Sequence, residues 1–325
     1  MKKLLIISGL FASLFSWSQQ TATFSNFLLN KSYFNAAVAG SNTLSVANLG
    51  YRNQWMGFEG APTTIYGNIE GSFKQNGKNG YGLSIVSDRI GLMQNTGFYL
   101  NYAQHFQINE ELKLGIGVRP GFVQYRIKLY DVQMADQGDE ILTGSILGAN
   151  AFDIQSGVHL YSDRYFVMIG LNQFVGEAIG FTSYNQNLKG HYNIIGGYKF
   201  SYEKWKNLLF EPALMIQGTR PVPHQMSLYL KTTYKDKFFG GLSWRSSDAL
   251  GIIAGMNLSE RIAIGYAYDI TYSNLNNYSS GSHEISLRFV TGKEKKHIDD
   301  EDEELNNSIM DELKEQLKNK NKNKE

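Results

Sequence analysis

The sequence predicts an all-β chain: a single-chain transmembrane antiparallel β-barrel of about fourteen strands, followed by a C-terminal periplasmic tail that is partly helical. Three observations predict it. Short two-faced segments recur along the chain, alternating apolar with small or polar residues at a period of two. An export-type segment opens the chain, and no later window approaches the ~18 consecutive apolar residues of a membrane-spanning helix. Short polar turns alternate with longer loops, as in barrels whose hairpins close tightly on one side of a membrane.

The elements follow in order. Lys2 and Lys3 precede an apolar run over 4–15, and Ser16-Trp17-Ser18 offers the small residues a signal peptidase reads, so 1–18 is expected to be a signal peptide. Such a signal without a stop-transfer helix leaves a soluble secreted protein or an outer-membrane barrel. Segment 19–42 is mixed, with Phe24, Phe27, Leu28, Leu29, Tyr33 and Phe34. It suits an ordered plug at the barrel mouth or a loose periplasmic arm, and both readings stay open.

The barrel is expected over 43–290. Strands are expected at 43–53, 63–74, 80–88, 95–107, 111–128, 149–161, 164–174, 190–201, 207–218, 225–235, 237–246, 249–258, 261–274 and 281–290. The last two show the pattern best. Ile262, Ile264, Tyr266, Tyr268, Ile270 and Tyr272 make one face, with Ala263, Gly265, Ala267, Asp269 and Thr271 on the other. Past a polar loop the phase resumes, with Ile285, Leu287 and Phe289 opposite Ser282, Glu284, Ser286 and Arg288. Lipid cannot hydrogen-bond a backbone, so strands of this kind must close on themselves. Tyrosines and tryptophans near strand ends, such as Tyr51, Trp55, Tyr165, Trp205 and Trp244, suit interfacial girdles.

Connections over 75–78, 108–110, 162–163, 202–206, 236 and 259–260 are short and polar, whereas 54–62, 129–148, 175–189, 219–224 and 274–280 are mostly longer. A sandwich or propeller gives no reason for that alternation. Beyond 290 the composition changes. Residues 291–325 carry acids over 299–304 and a Lys-Asn run over 318–324, while Leu305, Ile309, Leu313 and Leu317 recur every four residues. That spacing gives a narrow apolar stripe on a helix. It reads either as a solvated, frayed tail or as a periplasmic docking helix for a partner.

Composition narrows the function. The formal net charge is +1, from 31 Lys and Arg against 30 Asp and Glu, which offers no basis for binding nucleic acid. Cysteine is absent, which removes disulfides, a lipid-modified cysteine and thiolate chemistry. No catalytic site is expected: strand alternation puts Ser282 and His283 on opposite faces, so they cannot form a nucleophile-base pair. The six histidines are scattered, and the acids over 299–304 lack an ion-binding spacing, so neither a metal nor another cofactor is expected. Inward charges by parity are Glu70, Lys113, Arg119, Asp153, Lys199 and Glu211, then Lys231, Arg245, Asp269, Glu284 and Arg288. Their signs nearly balance, unlike the single-sign ring of a selective pore. They suit pairing across a filled or narrow interior, or mere hydration of the lumen. Glu284 and Arg288 stand four residues apart on one face.

The chain resembles the PorP/SprF outer-membrane proteins of the type IX secretion and gliding machinery over about 20–290. The resemblance rests on Gln19-Gln20 after the signal, Asn35-Ala36-Ala37 then Ala39-Gly40, Tyr51-Arg52-Asn53-Gln54-Trp55, Ala61-Pro62-Thr63-Thr64, Gly265-Tyr266-Ala267-Tyr268-Asp269, and Gly281-Ser282-His283-Glu284-Ile285-Ser286-Leu287. Where the family usually has Asn-Pro-Ala, this chain has Asn35-Ala36-Ala37. The resemblance implies a non-enzymatic outer-membrane component that helps export, and hold at the cell surface, an adhesin carrying a type B C-terminal domain. Expected partners are that domain, ring lipoprotein or periplasmic components met through the tail, and outer-membrane lipid. Both chain ends are expected in the periplasm. Tyr130, Met134, Ile141 and Leu142 in the longest loop, and the tail stripe Leu305, Ile309, Leu313 and Leu317, are the candidate partner contacts. The alternative is a passive or gated channel for small solutes.

Overall fold

The structure, a computed structural model, describes residues 23–42, 44–73, 77–128, 146–173, 178–180, 185–187, 190–219 and 223–291. Fourteen antiparallel strands close into a barrel. They are β1 (Ser45–Asn53), β2 (Thr63–Ser72), β3 (Asn79–Ile90), β4 (Met93–Gln107), β5 (Lys113–Lys128), β6 (Ile146–Tyr161) and β7 (Tyr165–Asn172). The second half comprises β8 (His191–Tyr198), β9 (Leu208–Thr219), β10 (Gln225–Tyr234), β11 (Phe238–Arg245), β12 (Ala249–Ser259), β13 (Ile262–Thr271) and β14 (Ser282–Thr291). Phe200–Ser201 extends β8 along β9. Each strand expected from the alternation is found, with its ends shifted by at most a few residues.

Closure leaves no free edge: β1 pairs with β14 from Ser45↔Thr291 to Asn53↔His283 and with β2 on its other side, while β8 pairs with both β7 and β9. One irregularity has an evident cause. The β4–β5 register skips from Tyr99↔Gly121 to Tyr102↔Val118 beside Pro120, which has no N–H to give the ladder.

One end of the barrel, called the turn end here, carries Ser45 and Thr291 and the hairpins over 108–112, 162–164, 235–237 and 260–261. The opposite loop end carries 54–62 and 272–281, and two tight turns besides, over 91–92 and 246–248. A separate two-stranded hairpin, Ala178–Gly180 with Asn185–Asn187, lies between β7 and β8 in the chain. The expected signal peptide, most of the longest loop and the C-terminal tail fall outside the described residues.

The barrel is inside-out relative to a soluble fold. On β1, Leu49 and Tyr51 are exposed while Val46, Asn48, Gly50 and Arg52 are buried. Parity repeats this on β13, where Tyr266 and Ile270 point out and Gly265, Ala267 and Asp269 point in. A belt of exposed Leu, Ile, Val and Phe therefore surrounds a lumen rich in polar side chains. In water such a belt would be an aggregation surface; in lipid it is the solvated face.

Candidate functional site

Residues 23–42 fill the middle of the lumen. They have no long periodic run and form three short 3-10 turns, Phe27–Leu29, Lys31–Tyr33 and Ala36–Val38. Their aromatic side chains build a core where a pore would need water: Phe24 lies edge-on to Tyr66 at 4.7 Å and Phe27 to Tyr229 at 4.4 Å. Phe166, Met168, Ile195 and Met215 complete that cluster from the barrel wall.

An irregular segment buried in this way must place its backbone carbonyls on something. The wall supplies the donors. Arg288 takes the Leu29 carbonyl at 3.1 Å, Arg119 those of Ser32 and Tyr33, and Asn193 that of Phe34 at 3.0 Å. His105 Nε2 lies 2.8 Å from the Ala39 carbonyl oxygen. Asn35 works in the other direction. Its Oδ1 accepts from the Ala37 N–H at 2.8 Å, and its Nδ2 donates to the carbonyls of Val158 and Ile169, which face each other across β6 and β7.

Glycines on the wall let the segment approach. A Cβ on Gly117 would stand 2.5 Å from the carbonyl carbon of Ala36 and from the Ala37 nitrogen, and one on Gly80 would run into the Ala39 oxygen. Neither obstacle is a flexible side chain, so these positions admit no larger residue while the segment is seated.

At the loop end the segment begins in a cluster of buried charge. Arg52 on β1 binds Asp269 of β13 at 2.6 Å and Glu284 of β14 at 3.1 Å. Glu284 also accepts from the backbone N–H groups of Ser25 (2.8 Å) and Asn26 (3.1 Å), and the Ser25 hydroxyl donates to Asp269 at 2.6 Å. Arg245 closes the group through Asp248 at 2.7 Å and the Ser25 hydroxyl at 2.9 Å. Two guanidiniums thus serve three carboxylates, Asp248, Asp269 and Glu284, with Arg245 also 3.4 Å from Asp269, and Ser25 is stitched into that network as a further partner.

From Ser25 the chain runs along the lumen to the turn end, where Gly40 meets Gly80. On the way Lys31 binds Glu211 at 2.9 Å and lies 3.7 Å from the centre of the Phe166 ring.

Of the eleven inward charges expected from parity, Asp269, Glu284 and Arg288 divide between two places. Asp269 and Glu284 share Arg52, whereas Arg288 binds the Leu29 carbonyl well away from them. Glu284 and Arg288 do not pair, because four residues along a strand span about 13 Å at 3.3 Å each. Ser282 faces the lumen and His283 faces out, where its Nδ1 meets the Tyr266 hydroxyl at 2.7 Å. The candidate partner contacts Tyr130, Met134, Ile141, Leu142, Leu305, Ile309, Leu313 and Leu317 lie outside the described residues.

Parity reasoning left out Arg52, although Val46, Asn48 and Gly50 on the same strand signal its inward direction. Ser25 carries no comparable signal. Among the described residues no group of three or more His, Asp or Glu is arranged to hold a metal ion.

No curated protein matches this sequence. Among solved structures, the CymD monoaromatic hydrocarbon channel is similar, with a TM-score of 0.50 and 11% identity over 84% of this chain and 95% of that one. A Pseudomonas aeruginosa FadL homologue gives 0.45 and 10% over 83% and 98%, and Omp33 of Acinetobacter baumannii gives 0.43 and 8% over 78% and 100%. At such identity a likeness speaks to the barrel fold and not to what passes through it. The sequence itself goes further: residues 16–289 match the family described as type IX secretion system membrane protein PorP/SprF. With a closed fourteen-strand barrel, an apolar outer belt and that match over most of its length, the chain is an outer-membrane β-barrel that belongs to the PorP/SprF family.

Proposed function

We propose that the chain is a non-enzymatic component of the type IX secretion and gliding machinery that supports export and cell-surface anchoring of a partner adhesin with a type B C-terminal domain. The observation that carries this reading is the family match over 16–289. The seated segment 23–42 supports it over a passive solute channel, because its aromatic side chains and three short turns occupy the middle of the lumen. In this reading the turn end faces the periplasm and the loop end the cell exterior. Loops over 54–62, 129–148 and 175–189 form the exterior platform, with Tyr130, Met134, Ile141 and Leu142 touching the adhesin. The stripe Leu305, Ile309, Leu313 and Leu317 meets ring lipoprotein or periplasmic components.

Deleting 293–325 and assaying adhesin display beside single-channel current tests the reading. Loss of display with no current supports it; intact display together with robust current turns it into a solute channel. Replacing 130–148 by a short Gly-Ser turn tests the platform separately. Anchoring that survives this replacement removes that loop from the adhesin contact.

A further inference from the structure

At the turn end the lumen opens into a vestibule of about 1040 Å³, floored by the seated segment at Leu28, Leu29, Lys31 and Val38. That is the size of a ligand site rather than a packing defect. Its inner wall carries four cations, Lys31, Lys199, Lys231 and Arg288, against two carboxylates, Glu70 and Glu211, an excess of two positive charges. Glu211 is already shared, with Lys31 at 2.9 Å and Lys231 at 3.7 Å, so it cannot neutralise the remainder. The Lys199 ammonium makes no close ion pair among the described residues, its attraction to Glu211 acting at longer range. The rim is different: Glu111, Asp163, Asp236 and Glu260 alternate there with Arg164, Lys237 and Arg261. Selectivity for an anion therefore resides in the inner wall.

The cations stand on four separate elements: the seated segment at Lys31, the chain just past β8 at Lys199, β10 at Lys231 and β14 at Arg288. An inorganic ion fills little of this volume and meets one or two of them, whereas an extended segment with several carboxylates meets them together, and a basic peptide meets the wrong charge.

We infer that the vestibule is a binding port for an acidic peptide segment, whose carboxylates meet Lys199, Lys231 and Arg288. The port stands apart from the proposed role in export, because its test reads binding by the isolated protein.

The chain has no cysteine, so Lys199→Cys introduces a single thiol into the vestibule. In detergent micelles, the full mature protein carrying it is treated with a maleimide, with and without a ten-residue Asp-Gly-Ser peptide. Saturable protection by this peptide, with none from a Lys-Gly-Ser peptide of equal length or from inorganic phosphate, is the expected result. Fluorescence anisotropy of the labelled acidic peptide on otherwise native protein gives the second readout. Lys231→Gln is expected to weaken binding about tenfold or more, the scale of one charge-assisted hydrogen bond. No protection, equal protection by phosphate or the basic peptide, or unchanged affinity in Lys231→Gln overturns the inference. Because Lys199→Cys removes one of the proposed contacts, Ser162→Cys on the same vestibule repeats the readout with every contact in place, and lack of protection there is the overturning result.

Discussion

Arg52 and Asp269 meet at 2.6 Å although 217 residues separate them in the chain. The contact joins the first strand to the last two, since the same guanidinium holds Glu284, and Glu284 in turn holds the backbone of Ser25 and Asn26. Both partners are almost wholly buried, so neither falls back on water if the other is removed. Arg52→Ala leaves Glu284 without a cationic partner, while Asp269 keeps Arg245 at 3.4 Å, and is expected to cost about 3–5 kcal/mol. Urea titration of the compact, heat-resistant form by gel mobility measures it. A midpoint equal to that of the native protein would show that this network adds nothing to stability.

The close approach at Gly117 predicts a different phenotype. Gly117→Val keeps β-propensity on the wall but denies Ala36 and Ala37 their position, so the barrel forms with 23–42 displaced. Protease cleavage within 23–42 and single-channel current are expected to be low in the native protein and to rise together in this variant. Gly240→Ala is the control, because its Cβ would meet only the Ile253 oxygen at an ordinary 3.5 Å. Its stability is expected to stay within about 0.5 kcal/mol of native, as for an unstrained change.

Asn35 separates loss of a donor from introduction of a charge. Its Nδ2 donates to the carbonyls of Val158 at 3.2 Å and Ile169 at 2.9 Å. Asn35→Ala removes both bonds and leaves the Ala37 N–H without its acceptor, at about 1–3 kcal/mol. Asn35→Asp sets a buried carboxylate against the same two oxygens and is expected to cost more, since an unpaired buried charge is the worse case. Equal urea midpoints for the two variants would place Asn35 outside this contact.

The strands were legible because lipid outside and polar contents inside impose a period of two on every segment, from Thr64, Tyr66 and Glu70 on β2 to Asp153 and His159 on β6. The same parity reaches Arg52, whose direction follows from Val46, Asn48 and Gly50. What it cannot give is partnership. Ser25 lies just ahead of the first 3-10 turn, in a stretch without a repeating face, and its partners Asp269 and Glu284 are fixed only once the barrel closes. Glu284 and Arg288 show the converse hazard, since sequence spacing that would make a helical pair keeps them far apart on a strand.

The outer face offers a depth gauge. Leu100 sits at the middle of β4 and is 65% exposed, while Phe106, also outward, is one residue from the strand's turn end. If the apolar belt spans a bilayer, an arginine is costly at the centre and tolerated near the interface. Leu100→Arg is therefore expected to reduce folding stability in lipid vesicles by about 2–4 kcal/mol, and Phe106→Arg by about 0–1 kcal/mol. Detergent micelles, which deform around a charge, should narrow the difference. Equal costs at the two sites in vesicles would mean that the belt does not lie across the hydrocarbon layer, and the membrane reading of the whole alternation would fall with it.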